Sequence, residues 1–170
     1  MIVEPVQGES GVRVVETELL EYLRRTTSER GIALIFDEIQ CGLGRLGTFM
    51  AYESFGVTPD VVTLAKPLAG GLPMGAILVT GEIAGTIKPG DHGTTFGGGP
   101  MVAAVADYVV RRLADPALLE SVRVNGEWLG GKLLEIARRS GKIRAVPMAP
   151  DVAAAIPGVA TGVILAVSRA

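Results

Sequence analysis

The chain has almost no cysteine and almost no histidine. Its single cysteine, Cys41, excludes an internal disulfide and suits a reducing, cytoplasmic compartment. Its single histidine, His92, lies between Asp91 and Gly93 and reads as loop architecture rather than as a catalytic group. Charge of either sign is not in excess. Sixteen basic residues, dispersed along the chain, leave a net charge of −2 and argue against a nucleic-acid footprint. No secretory leader is expected from the opening residues, because Glu4 and Glu9 interrupt them before any apolar core of the needed length. The closest approach to a membrane span, Met148 to Val167, holds Asp151, Pro150, Pro157, Gly158 and Gly162 and reads as part of a soluble domain. Repeats and low-complexity linkers are also lacking. What remains is 170 residues, 48% of them hydrophobic, enough for a single sizeable core.

The apolar pattern gives an α/β reading. Glu16 to Arg25 puts Leu19, Leu20 and Leu23 on one helical stripe, with Thr17 as the cap and Gly31 as the stop. A strand over 32–37 follows, then a short β-branched one over Val61 to Leu64. A third, Gly75 to Thr80, is reached through a loop too short for a helical crossover, so it should run antiparallel. Met101 to Leu113 and Ala117 to Arg139 are helical by period and divide at Asp115-Pro116, where a proline fits a first helical turn. Ile143 to Val146 and Val163 to Val167 are expected as further strands.

Two strand ends carry chemistry. Asp37 closes the run Ile32-Ala33-Leu34-Ile35-Phe36, and Lys66 follows Val61-Val62-Thr63-Leu64-Ala65. A lysine amine becomes a nucleophile toward an aldehyde only where desolvation or a neighbouring cation lowers its pKa, and a strand end inside a crevice offers that. An ionised aspartate beside a pyridine nitrogen keeps the nitrogen protonated and makes the ring an electron sink. Pyridoxal phosphate is the cofactor that needs both partners.

Two other patterns point elsewhere and fail on context. Gly42-Leu43-Gly44-Arg45-Leu46-Gly47 spells G-x-G-x-x-G, but four residues separate it from the strand end, and too little chain follows for a crossover helix. Apolar residues followed by Asp37-Glu38 mimic a magnesium-binding nucleotidase strand, yet no G-x-x-x-x-G-K-[ST] loop accompanies them. No metal site is expected.

The text around Asp37 and Lys66 resembles a known family. Asp37-Glu38-Ile39-Gln40-Cys41-Gly42, Ala65-Lys66-Pro67-Leu68-Ala69-Gly70-Gly71-Leu72-Pro73, Val3-Glu4-Pro5-Val6-Gln7-Gly8-Glu9 and His92-Gly93-Thr94-Thr95-Phe96-Gly97-Gly98-Gly99-Pro100 are similar, in order and spacing, to blocks of the class III aminotransferases. The wording is most similar to the acetylornithine-type members. Gly99 stands where the family has asparagine, and Cys41 where it has threonine.

The resemblance implies a fold type I transferase. Residues 1–115 would be part of the large cofactor domain, with a mostly parallel sheet and one antiparallel strand. Residues 116–170 would be a linking helix and the start of a small C-terminal domain. By the same resemblance, Lys66 forms the imine with the cofactor and shuttles the substrate proton. Asp37 pairs with the ring nitrogen and Gln40 with the phenolic oxygen. Thr95 binds the phosphate of a neighbouring subunit, which makes the site a property of a homodimer. Glu9 matches a glutamate that pairs with a carboxylate-binding arginine, and Glu4 a nearby glutamate of less defined role.

The expected reaction moves an amino group from N-acetylornithine to 2-oxoglutarate, as in arginine biosynthesis. Alternatives are a 4-aminobutyrate or succinylornithine aminotransferase, a class III racemase or aminomutase, and a non-catalytic dimerisation module. Because Met1 falls inside a family block and the resemblance decays from about Lys142, the chain reads as a fragment expected to have weak or no activity alone.

Overall fold

The structure, a computed structural model, describes residues 1–140 apart from Ser10 and Phe96. From the N-terminus, β1 (Ile2–Val3) leads into a hairpin of β2 (Val6–Gln7) and β3 (Arg13–Val14), then helix α1 (Thr17–Glu29) and β4 (Ile35–Asp37). A short 3-10 helix, Ala51–Phe55, precedes β5 (Val61–Leu64), and a second, Lys66–Ala69, follows it. The chain continues through β6 (Ala76–Val79), α2 (Gly81–Ala84), α3 (Pro100–Leu113) and α4 (Pro116–Ser140).

The main sheet has the order β1-β4-β5-β6. β4 is parallel to both β1 and β5, whereas β6 runs antiparallel to β5, as the short loop before it requires. Register assigns the faces. Ile35 lies beside Val61, Phe36 beside Val62 and Asp37 beside Thr63, so Phe36 and Val62 share one face and Asp37 and Thr63 the other.

The first face is the core. Leu20 of α1, Leu34, Phe36, Ala51 and Phe55 form one buried cluster. Val62, Leu64, Leu68 and Ala69 form a second, closed by Ala106 of α3. The opposite face is only partly covered among the described residues. Ile2, beside Ile35, is 62% exposed, and Ile77, beside Thr63, is 67% exposed. Parallel strands are ordinarily covered on both sides, so the face that carries Asp37 stands out as accessible.

Three expectations change in detail. The strand predicted over 32–37 is confined to Ile35–Asp37. The Ile32 N–H bonds the Thr27 carbonyl at 2.9 Å, and the Leu34 N–H bonds Asp60 Oδ2 at 2.7 Å, so this stretch is spent on closing α1 and on Asp60. Asp60 is held in turn by Arg24 at 2.9 Å. Thr17 is the first helical residue rather than the cap; Glu16 holds that position without a side-chain bond. Leu19 turns to solvent while Leu20, one position on, is fully buried.

The α3–α4 break falls at Asp115-Pro116, where Asp115 Oδ1 accepts the Ala117 N–H at 2.9 Å and caps α4. The strands expected at Ile143 to Val146 and Val163 to Val167 lie outside the described residues, as does Met148 to Val167. Among the described residues, no helix is long and apolar enough to cross a membrane.

Burial sets the cost of truncation. Phe36→Ala should lower unfolding free energy in urea by about 3–5 kcal/mol, whereas Leu19→Ala should change it by no more than about 0.5 kcal/mol. Equal losses at the two positions would contradict the assigned faces.

Candidate active site

Asp37 and Lys66 come to one edge of the sheet because β4 and β5 are adjacent and parallel. Asp37 ends β4 opposite Thr63, and Lys66 lies just past the end of β5. The carboxyl ends of neighbouring parallel strands are where open α/β sheets bind ligands. One Asp37 oxygen, Oδ1, accepts the Ile39 N–H at 3.0 Å and so fixes the carboxylate against the turn that follows. Oδ2 has no hydrogen-bond donor among the described residues.

That turn places Gln40. Its Nε2 donates to Glu9 Oε1 at 3.1 Å, so the hairpin loop between β2 and β3 reaches the end of β4. Gly8 makes the approach feasible: a Cβ there would lie 2.5 Å from Gln40 Oε1 and 2.8 Å from Nε2. The five residues predicted to form the site thus divide. Asp37, Gln40 and Glu9 are joined through the turn and the hairpin, and Lys66 stands at the neighbouring strand end. Thr95 does not join them; it is exposed in the segment between α2 and α3 and bonds none of them among the described residues. His92 is exposed in the same segment.

Lys66 has an unusual backbone. Its φ is +32°, in the left-handed region that side chains other than glycine rarely adopt. The strain is held from both sides, by the β5 ladder before it and by buried Leu68 and Ala69 packed near α3 after it. The expectation of a desolvated lysine needs correcting: Lys66 is exposed, and the described residues do not enclose its amine. No ion pair or hydrogen bond engages that amine among them, which leaves it available to a ligand.

Glu38 was not singled out in the sequence, yet it organises the site from behind. Strand alternation turns it to the core face, where it is 1% exposed. Its Oε2 accepts the Ala51 N–H at 2.6 Å and its Oε1 the Tyr52 N–H at 2.8 Å, capping the first 3-10 helix. Burial holds its pKa above the ordinary glutamate range and outweighs these two bonds; the nearby Glu53 pushes the same way. The signal was in the pattern, because a carboxylate one residue beyond Asp37 must face the core and must there find donors.

Close packing, against the clamp at one end and α4 at the other, accounts for the glycine-rich loop. A Cβ on Gly42 would lie 2.8 Å from Glu38 Oε2, and one on Gly47 would lie 3.1 Å from Arg123 Cβ of α4. The loop leads into the five-residue 3-10 helix, so its glycines serve packing rather than dinucleotide binding. Cys41 is buried, and burial, with Glu38 close by, pushes its thiol up to about 12. Cys41 thus behaves as a packing residue held away from solvent. No group of His, Cys, Asp or Glu suited to a metal ion occurs among the described residues.

A free amine, a carboxylate with one open oxygen and an anchored amide thus lie near one edge of a mostly parallel sheet. Comparison with known proteins gives the family: residues 1–155 match the model of aminotransferase class-III, and the chain belongs to that family. It is 49% identical over 132 residues to a probable mitochondrial acetylornithine aminotransferase of Dictyostelium discoideum, covering 76% of this chain and 29% of that protein. It is 47% identical over 139 residues to a succinylornithine transaminase of Yersinia pestis, covering 82% and 34%. The solved ornithine delta-aminotransferase of Plasmodium falciparum superposes with a TM-score of 0.79 at 34% identity, covering 87% of this chain and 39% of that one. The chain thus spans about a third of the length of the relatives it matches, and its mixed α/β fold is the fold type I arrangement.

Removing the clamp tests its role. Glu38→Ala should cost about 2–4 kcal/mol, the sum of a small cavity and two orphaned N–H groups. Because the folded-state pKa is raised, the folded protein binds the Glu38 proton more tightly than the unfolded chain does. Its contribution is complete below the ordinary glutamate range and is lost as pH rises through the raised value. Urea unfolding across mildly acidic pH should show this falling stability in the wild type and its loss in the alanine variant.

Proposed function

We propose that this chain carries the catalytic lysine of an aminotransferase that moves the amino group of an N-acylated ornithine, N-acetylornithine in the first instance, to 2-oxoglutarate. The observation that supports this best is the adjacency of β4 and β5, which sets an aspartate and an unpaired lysine at the same sheet edge. Membership of class III supports the cofactor as pyridoxal phosphate. The residues present fit it: Asp37 has an oxygen open to a ring N–H, the Lys66 amine is unengaged, and the Gln40 amide is anchored by Glu9.

The cofactor, when bound, supplies an aldehyde for amine exchange and a ring that draws electrons from the substrate's alpha carbon. The chain's own residues do the rest. Asp37, through the oxygen that the Ile39 N–H leaves open, would hold the ring nitrogen's proton. The Lys66 amine would hold the cofactor and would carry a proton to and from the substrate carbon, a role for which general acid–base catalysis contributes about 10²- to 10⁴-fold. Gln40 orients the ring, with Glu9 holding its amide.

Thr95, exposed and apart from these groups, is proposed to contact the phosphate bound by a second subunit of a homodimer with shared active sites. The cytoplasm is the proposed compartment. A succinylornithine donor is favoured almost as well, since that relative is 47% identical against 49% for the acetylornithine-type one.

The test is covalent. Pyridoxal phosphate added to the chain should give a visible absorbance band, and borohydride should then fix the cofactor on the Lys66 peptide as read by mass. Lys66→Ala should abolish both signals, and a label on any other lysine would refute the reading. In the assembled enzyme, labelled amino transfer should proceed from N-acetylornithine and fall about 100-fold or more in Lys66→Ala.

A further inference from the structure

Thr63 Oγ1 is buried and has no hydrogen-bond partner, the one such side-chain atom among the described residues. An unsatisfied buried hydroxyl is unfavourable, and native structures keep such groups for a reason. Packing does not supply one here, because valine has the same branched shape, suits a strand equally and would carry no such penalty.

Position does. Thr63 lies beside Asp37 across the β4–β5 pair and beside Ile77 across the β5–β6 pair, on the accessible face of the sheet. The strand then ends at Leu64, just ahead of Lys66. Ile77 offers no polar side chain, and Asp37 is turned to the Ile39 N–H through Oδ1. Thr63 therefore stands in register with Asp37 and three residues ahead of Lys66, and its hydroxyl has no partner of its own.

We propose that Thr63 is a further binding residue of that site, donating its hydroxyl hydrogen to an acceptor oxygen of pyridoxal phosphate seated between Asp37 and Lys66. This rests on the cofactor reading given above. It makes Thr63 a residue that costs stability in the empty chain and returns affinity in the loaded one. A structural threonine would show the reverse.

Two variants of the 170-residue chain, Thr63→Val and Thr63→Ser, separate these cases by thermal unfolding without cofactor and by spectroscopic titration with pyridoxal phosphate. Thr63→Val should unfold at the same or a higher temperature and bind pyridoxal phosphate about five- to tenfold more weakly, the worth of one hydrogen bond. Thr63→Ser should keep the wild-type affinity. Unchanged affinity in Thr63→Val, or a lower unfolding temperature, would overturn the assignment while leaving the cofactor reading intact. A wild-type chain that binds no pyridoxal phosphate would overturn both.

Discussion

The pairing of β4 with β5 is the constraint on which the rest depends. Asp37 and Lys66 are distant in sequence, and only a parallel ladder with Asp37 opposite Thr63 brings their strand ends to one edge. A slip of one residue would exchange the faces, turning Asp37 into the core and Phe36 to solvent. Register is therefore fixed by burial: Phe36 and Val62 need the covered side, and their burial sends Asp37 and Thr63 to the open one. The chemistry is placed by hydrophobic packing that takes no part in it.

A second layer of order comes from polar groups behind the site. Glu38 points away from the accessible face and ties the end of β4 to the 3-10 helix at Ala51. Asp60 ties the start of β4 to α1 through the Leu34 N–H and Arg24. β4 is three residues long, too short to be rigid through its own ladder, and these two carboxylates brace it at both ends. Asp37 thus stands on a braced strand, while Lys66 stands on a strained turn held by Leu68 and Ala69. Such contrast suits a fixed electrostatic partner beside a lysine that must exchange partners.

The parts of this arrangement that were legible in the sequence are those carried by local pattern. Apolar runs closing at Asp37 and just before Lys66 gave both strand ends, and the short glycine-rich loop gave the antiparallel β6. Asp115-Pro116 marked the helix break by the same local logic. What escaped was set by contacts between distant segments. The Asp60 carboxylate captured Leu34 and shortened β4; nothing in the run Ile32-Ala33-Leu34 signals it. The Glu9–Gln40 bond depends on how the β2–β3 hairpin folds over Gly8, and although the place of Glu38 after Asp37 signals a core-facing carboxylate, its partners Ala51 and Tyr52 come from a distant turn. The Lys66 amine, expected to be desolvated, is exposed, because enclosure depends on surfaces that a local reading does not reach.

The central claim is that Asp37 and Lys66 serve a single bound molecule from two strand ends. The most direct measurement is a crystal structure of the protein grown with pyridoxal phosphate. Density continuous with Lys66 Nζ is expected, with the ring nitrogen within hydrogen-bonding distance of Asp37 Oδ2. Cofactor density elsewhere on the chain, or a ring whose nitrogen faces away from Asp37, would contradict it.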